Sequence, residues 1–109
     1  MSGFDPCRRA GELLAQAERV VVFTGAGIST ESGIPDFRSP GGLWSRYDPT
    51  QLTFDRFLRN EETRRLYWDI ATQSYPVLRD AEPNAAHRAV AAIERAGRLM
   101  LLVTQNVDG

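Results

Sequence analysis

Val20-Val21-Val22-Phe23-Thr24-Gly25-Ala26-Gly27-Ile28-Ser29 is the stretch that decides the fold. Its β-branched and aromatic residues run without polar alternation, which predicts a strand covered on both faces, as in a parallel sheet. Gly25 and Gly27 end the strand. A strand feeding a Gly-x-Gly turn lets the backbone approach a pyrophosphate closely, and the N–H groups of the next turn can donate to phosphate oxygens. The same turn also serves as a tight strand-to-helix connection with no ligand. Thr30 stands where a third glycine usually completes a dinucleotide fingerprint.

Ahead of this strand, Ala10, Leu13, Leu14 and Ala17 recur at helical spacing and predict an amphipathic helix over residues 8–17. Residues 25–50 hold five glycines and three prolines, which predicts a long irregular loop, a feature usually tied to function in a compact domain. Helical spacing returns with Phe54, Phe57 and Leu58 and again with Leu66, Tyr67 and Ile70. Pro76 and Pro83 are expected to bracket a linker. Asn84 is a predicted N-cap, followed by an apolar stripe of Ala86, Ala89, Val90, Ile93 and Ala96, with Gly97 as the stop. Leu99 to Thr104 is a second buried-strand candidate. The order helix, strand, long loop, helices, strand predicts an α/β fold with a Rossmann-like parallel sheet start. Two parallel strands and one crossover leave much of each sheet face uncovered. Residues 1–109 therefore read as an interrupted, truncated domain.

Thirteen basic residues nearly balance fourteen acidic ones, for a net charge of -1. No basic tract marks a nucleic-acid footprint, so no nucleic-acid partner is expected. Met1 to Pro6 lacks the basic start and apolar run of a signal peptide. The longest apolar runs, Val20 to Phe23 and Leu99 to Val103, are too short to span a bilayer. No membrane partner is expected, and the lone Cys7 fits a reducing, cytoplasmic setting. Cys7 is expected in a frayed N-terminus, without a partner for a disulfide or a metal.

Two more segments carry chemistry. Glu31-Ser32-Gly33-Ile34-Pro35-Asp36-Phe37-Arg38 sets a carboxylate, an aromatic and a guanidinium side by side in a Gly/Pro-rich loop. Arginine suits phosphate by charge and by its planar fork, and an aromatic can shield a reactive centre from water. The plainer reading packs Phe37 on the core and pairs Asp36 with Arg38 at the surface. Thr104-Gln105-Asn106-Val107-Asp108-Gly109 follows the second strand, and in open α/β sheets ligands bind beyond the carboxyl ends of strands. Asp-Gly is also a strong turn dipeptide. His87, near a helix start, is expected to be structural or solvent-facing. Trp44, Tyr47, Phe54 and Phe57 suit a core more than a substrate wall.

Gly-Ala-Gly-Ile-Ser-Thr-Glu-Ser-Gly-Ile-Pro-Asp-Phe-Arg over residues 25–38, followed by Thr-Gln-Asn-Val-Asp over 104–108, resembles the sirtuin family. Arg65-Leu66-Tyr67-Trp68 and Pro83-Asn84-Ala85-Ala86-His87 add to the likeness, which runs from about Arg8 to Gly109. Tyr67-Trp68 and Asn106-Val107-Asp108 look most like the branch that includes the mitochondrial lipoamidase-type sirtuins and many bacterial relatives. The resemblance implies an NAD-dependent protein deacylase, which moves an acyl group from lysine to ADP-ribose and releases nicotinamide. NAD is the implied cofactor and an acyl-lysine protein the implied substrate. Gly25, Ala26, Gly27, Ile28, Ser29 and Thr30 would wrap the NAD phosphates. Asp36 would support the loop, Phe37 would cover the nicotinamide ribose, and Arg38 would order the loop and meet phosphate. Gln105 and Asn106 would contact the nicotinamide ribose. Asp108, with the Val107 backbone, would hold the carboxamide. Asn106 and Asp108 thus assist, while the family's general-base histidine and its four zinc-binding cysteines are expected beyond Gly109. No metal site is expected in residues 1–109.

Two other functions compete with that reading. A Rossmann oxidoreductase lacks support from the third glycine and from an acidic residue about 20 residues on. A non-catalytic module that holds NAD or ADP-ribose fits the cofactor half alone. Because a positioned base commonly contributes about 10²–10⁴-fold, the 109-residue chain by itself is expected to be inactive. The check is nicotinamide release from NAD with an acetyl-lysine peptide, and turnover by rigorously purified chain overturns the expectation.

Overall fold

The computed structural model describes residues 3–109, so Met1 and Ser2 of the N-terminal stretch lie outside the described residues. Helix α1 spans Pro6–Gln16. It starts where Asp5 accepts hydrogen bonds from the Cys7 and Arg8 amides at 3.0 and 3.2 Å, with proline in the first turn, where its missing N–H costs nothing. Cys7 is therefore not frayed. It is an exposed residue of a capped helix, because the Asp-Pro pair just ahead of it starts the helix earlier than apolar spacing alone shows.

Strand β1, Val20–Thr24, and strand β2, Leu99–Thr104, form a two-stranded parallel sheet. The elements between them are a 3₁₀ helix over Ala26–Ser32, α2 over Leu43–Arg46, a 3₁₀ helix over Pro49–Leu52, α3 over Phe54–Arg59, α4 over Glu61–Asp80 and α5 over Ala85–Arg95. The fold is α/β with a Rossmann-like parallel start. The guanidinium of Arg98, at the entry to β2, donates to the carbonyls of Leu14, Ala15 and Ala17. Carbonyls at a helix C-terminus lack an i+4 amide partner within the helix; Leu14 is met by the Ala17 amide as well, and this one arginine serves the group and pins α1 beside the sheet.

Three expectations need correction. The stretch 25–50 is not one irregular loop, since three short helical segments interrupt it. Each is too short to show periodicity, and Asp48 starts one of them by accepting from the Thr50 amide at 2.9 Å and the Thr50 hydroxyl at 2.8 Å. The Thr50 hydroxyl, then its amide, holds the Asp48 carboxyl below the usual carboxylate range. Second, Pro76 does not open a linker. It sits inside α4, which runs on to Asp80. Helix formers on either side carry the helix past one missing bond to the Thr72 carbonyl.

Third, the strands are not covered on both faces. Val20 is buried, but Val21, Phe23 and Leu101 are 58%, 77% and 53% exposed. The chain exposes 8841 Å², against roughly 6000 Å² for a compact protein of this mass. Its radius of gyration is 18.1 Å, against about 13 Å for a compact domain of this length. The uncovered sheet faces expected from two strands and a crossover are thus present. No helix of the described residues is long and apolar enough to cross a membrane.

Pro76 is exposed, so its replacement disturbs no packing. Pro76→Ala restores a backbone donor and removes a ring clash, and an interior proline costs a helix about 3 kcal/mol. The lost rigidity of the unfolded chain offsets part of the gain. Denaturant titration is expected to show about 1–2 kcal/mol of added stability, and no gain means that the helix has already relaxed around the ring.

Candidate functional site

Parallel pairing sets the carboxyl ends of β1 and β2 at the same edge of the sheet, with Thr24 opposite Thr104. The Gly25 turn leaves one strand there and Gln105 to Asp108 leaves the other. Two hydrogen bonds join them. Asn106 Nδ2 donates to the Gly25 carbonyl at 2.8 Å, and the Ser29 hydroxyl donates to the Asp108 carboxylate. Asn106 is oriented by its own amide, which donates to Thr104 Oγ1 at 3.0 Å. Ser29 is 1% exposed and Asp108 half-buried, so this neutral donor and charged acceptor meet away from bulk water, where such a bond is strong.

The turn itself is open. A Cβ built on Gly25 or Gly27 meets no atom within 4 Å, and neither glycine has positive φ. Their value is therefore a bare backbone surface rather than a left-handed conformation. The Ala26 and Gly27 amides, at the start of the 3₁₀ helix, make no hydrogen bond among the described residues. Thr30 turns its hydroxyl back to the Gly27 carbonyl at 3.0 Å. Beside the strand ends runs a cleft of about 600 Å³ with Thr24, Ile28, His87, Thr104, Asn106 and Asp108 in its wall. A second opening of about 750 Å³, near Glu31, Asp80 and Glu82, touches none of the strand-end residues, so size alone does not locate the site.

Asp36, Phe37 and Arg38 are not bonded to this strand-end group. Asp36 organises its own turn. Its carboxylate accepts from the Ser39 amide at 3.0 Å and the Ser39 hydroxyl at 2.5 Å, and its carbonyl accepts from Leu43 N at 3.0 Å. A Cβ on Gly42 would lie 2.6 Å from that carbonyl oxygen, so only glycine fits beneath the turn. Asp36 and Arg38 form no ion pair among the described residues, which corrects the surface-pair reading. Nor is Phe37 in the core. It is 49% exposed and packs on Trp44 with ring centroids 5.5 Å apart. The other aromatics form neither one wall nor one core: Phe57 meets Tyr67 edge-on at 5.2 Å, while Phe54 is 74% exposed. Gln105 and Val107 are exposed. His87 Nδ1 accepts from the Asn84 amide at 3.1 Å and completes a capping box, a structural role. Among the described residues no group of three His, Cys, Asp or Glu side chains is placed to hold a metal. The sequence reading missed the reach of Asn84, which bonds Ile28 and Ser32 as well as capping α5; a cap is a local signal, and a contact across more than fifty residues leaves none.

Residues 25–109 match the Sir2 family. The chain is 47% identical over 98 residues to an NAD-dependent protein deacetylase of Rhodopseudomonas palustris, covering 90% of this chain and 38% of that protein. It is 47% identical over 105 residues to NAD-dependent protein deacylase 2 of Archaeoglobus fulgidus, covering 95% and 40%. A solved structure of a Sir2 variant with a deacetylated peptide and 3'-O-acetyl ADP ribose superposes with a TM-score of 0.78, at 37% identity, covering 93% of this chain and 40% of that one. The chain belongs to the Sir2 family. It spans about two fifths of the length of these relatives.

Ser29→Ala removes the donor to Asp108 and leaves a half-buried carboxylate short of one partner. Hydrogen bonds to charged groups contribute about 1.5–3 kcal/mol, and partial access to water lowers the effect. Chemical denaturation is expected to show a loss of about 1–2 kcal/mol; a variant as stable as wild type shows that the bond contributes nothing net.

Proposed function

We propose that the protein acts as an NAD-dependent protein-lysine deacylase, moving an acyl group from lysine to ADP-ribose with release of nicotinamide, and that residues 25–38 and 105–108 supply its cofactor half. The observation that carries this reading is the joining of the glycine turn to the Gln105–Asp108 segment by the Ser29–Asp108 and Asn106–Gly25 hydrogen bonds, in a chain of the Sir2 family. The residues suit a dinucleotide. The backbone beside Gly25 and Gly27 is open, free amides stand at the strand end, and the Asn106 amide and Asp108 carboxylate, bonded to the same turn, also line a cleft of ligand size.

NAD supplies the ribose carbon that becomes electrophilic as nicotinamide leaves. In our reading the Ala26 and Gly27 amides donate to phosphate oxygens, and Ile28 to Thr30 carry the turn past them. Arg38, exposed and without an ion pair among the described residues, adds a cation for phosphate. Phe37, seated on Trp44, turns its exposed face to the nicotinamide ribose and excludes water. Gln105 and Asn106 bond ribose hydroxyls. Asp108, already oriented by Ser29, accepts from the carboxamide nitrogen, with the Val107 backbone beside it. An acyl-lysine protein is the proposed substrate. Tyr67-Trp68 and Asn106 to Asp108 support a place near the branch of lipoamidase-type and bacterial sirtuins, and the free, exposed Cys7 suits a reducing, cytoplasmic setting.

Asp108→Asn in the full-length protein separates this role from that of a turn. Asparagine keeps the shape and an acceptor but loses the charge, and charge-assisted hydrogen bonds are roughly twice as strong as neutral ones. NAD and nicotinamide titrations are expected to weaken by at least about tenfold, with the melting temperature little changed. Unchanged affinity and unchanged turnover would make Asp108 a turn residue and remove it from the cofactor site.

A further inference from the structure

Asn84 has two jobs, and only one of them is the helix cap. Its Oδ1 accepts from the Ala86 and His87 amides at 2.9 and 3.4 Å, and its own amide donates to His87 Nδ1 at 3.1 Å. Those bonds start α5 and need only a side-chain oxygen, which serine, threonine or aspartate supplies as well. The side-chain nitrogen faces the other way. Nδ2 donates to the Ile28 carbonyl at 2.7 Å and to Ser32 Oγ at 3.0 Å, so both N–H bonds of the amide are committed. The partners fix the orientation of the amide, since a flipped side chain would set NH₂ against two N–H donors and oxygen against a carbonyl.

Ile28 and Ser32 belong to the 3₁₀ helix over Ala26–Ser32, seven residues long and without a side-chain cap at its start. Runs of that length are uncommon for a 3₁₀ helix, whose hydrogen-bond geometry is poor. Bonds from outside therefore decide where it sits. Asn106 holds its entry at Gly25, Asp108 holds Ser29, and Asn84 holds Ile28 and Ser32 from the side of α5. Of these three side chains only Asn84 comes from outside the strand-end segment.

We infer that Asn84 is a positioning residue for the nucleotide. It acts through Ile28 and Ser32 to keep the open amides of the turn in one place before the cofactor arrives. A preorganised donor array binds without the cost of ordering itself. The ligand in this inference rests on the cofactor reading above; the tether itself does not.

The test uses the full-length protein with Asn84→Ser and Asn84→Asp. Both keep a capping oxygen and lose the two Nδ2 bonds, and aspartate adds a charge facing the Ile28 carbonyl. Melting temperature, amide hydrogen exchange over residues 26–33 and calorimetric affinity for NAD and for ADP-ribose are read together. The expected result is a melting temperature close to wild type, exchange in 26–33 faster by about tenfold or more, and affinity weaker by about five- to thirtyfold, with aspartate worse than serine. Ser32→Ala, which removes one of the two acceptors, is expected to fall between wild type and Asn84→Ser. Variants that exchange and bind like wild type overturn the inference and leave Asn84 a cap, as does a lower melting temperature with unchanged exchange and affinity. A wild-type protein that binds neither nucleotide overturns the cofactor reading, while faster exchange in the variants still establishes the tether.

Discussion

Everything in this chain depends on the parallel pairing of β1 with β2. Parallel strands run the same way, so the polypeptide leaves both of them at one edge of the sheet. The glycine turn and the Gln105–Asp108 segment are brought together by that geometry and then locked by two hydrogen bonds. An antiparallel pair would put the same two segments at opposite ends of the strands, roughly 16 Å apart for five residues. The residues between the strands, most of them helical, are the crossover that such pairing requires. Arg98 and Asn84 both belong to the return leg of this crossover, and each ties a distant segment to it: Arg98 holds the end of α1 at the entry to β2, and Asn84 holds the 3₁₀ helix at the carboxyl edge.

Much of this was legible because it is local. The run Val20 to Thr24 and the run Leu99 to Thr104 carry strand character in their own composition, and both fall where expected. Asn84 before an apolar stripe and Gly97 after it mark a helix by chemistry that acts over three or four residues, and Gly97 indeed has φ of 73°. What was not legible is of two kinds. Segments such as Leu43–Arg46 and Pro49–Leu52 span a single turn, too few residues for a period to emerge. Partnerships such as Ser29 with Asp108 join residues 79 apart, and nothing in either local sequence names the other. Pro76 misled for a third reason. Its cost is real, but a twenty-residue helix can carry one broken bond.

The bare sheet face shows a limit of composition as a guide. Val21, Phe23 and Leu101 have the character of residues covered on both sides, yet each is more than half exposed. Composition records what a strand is suited to meet, whereas burial depends on what is beside it. With two strands and about two fifths of the length of its relatives, the chain does not close a core around them.

The register of the two strands slips once, between Val20 and Val21, so that Val20 faces Leu99 but Val21 faces Leu101. Met100 is the extra residue. The slip takes it up; if the strands instead paired without a slip, Thr24 would lie opposite Val103, and the segment after β2 would reach the sheet edge displaced by one residue, roughly 3.3 Å. Because side chains alternate between faces, that displacement would also exchange odd for even positions. Gln105 and Val107 would then stand where Asn106 and Asp108 now do, opposite Gly25 and Ser29. The slip near the start of β2, by taking one residue out of the pairing, thus sets the phase of the strand, and an irregularity some eight positions before Asp108 determines that a carboxylate rather than a valine faces the glycine turn.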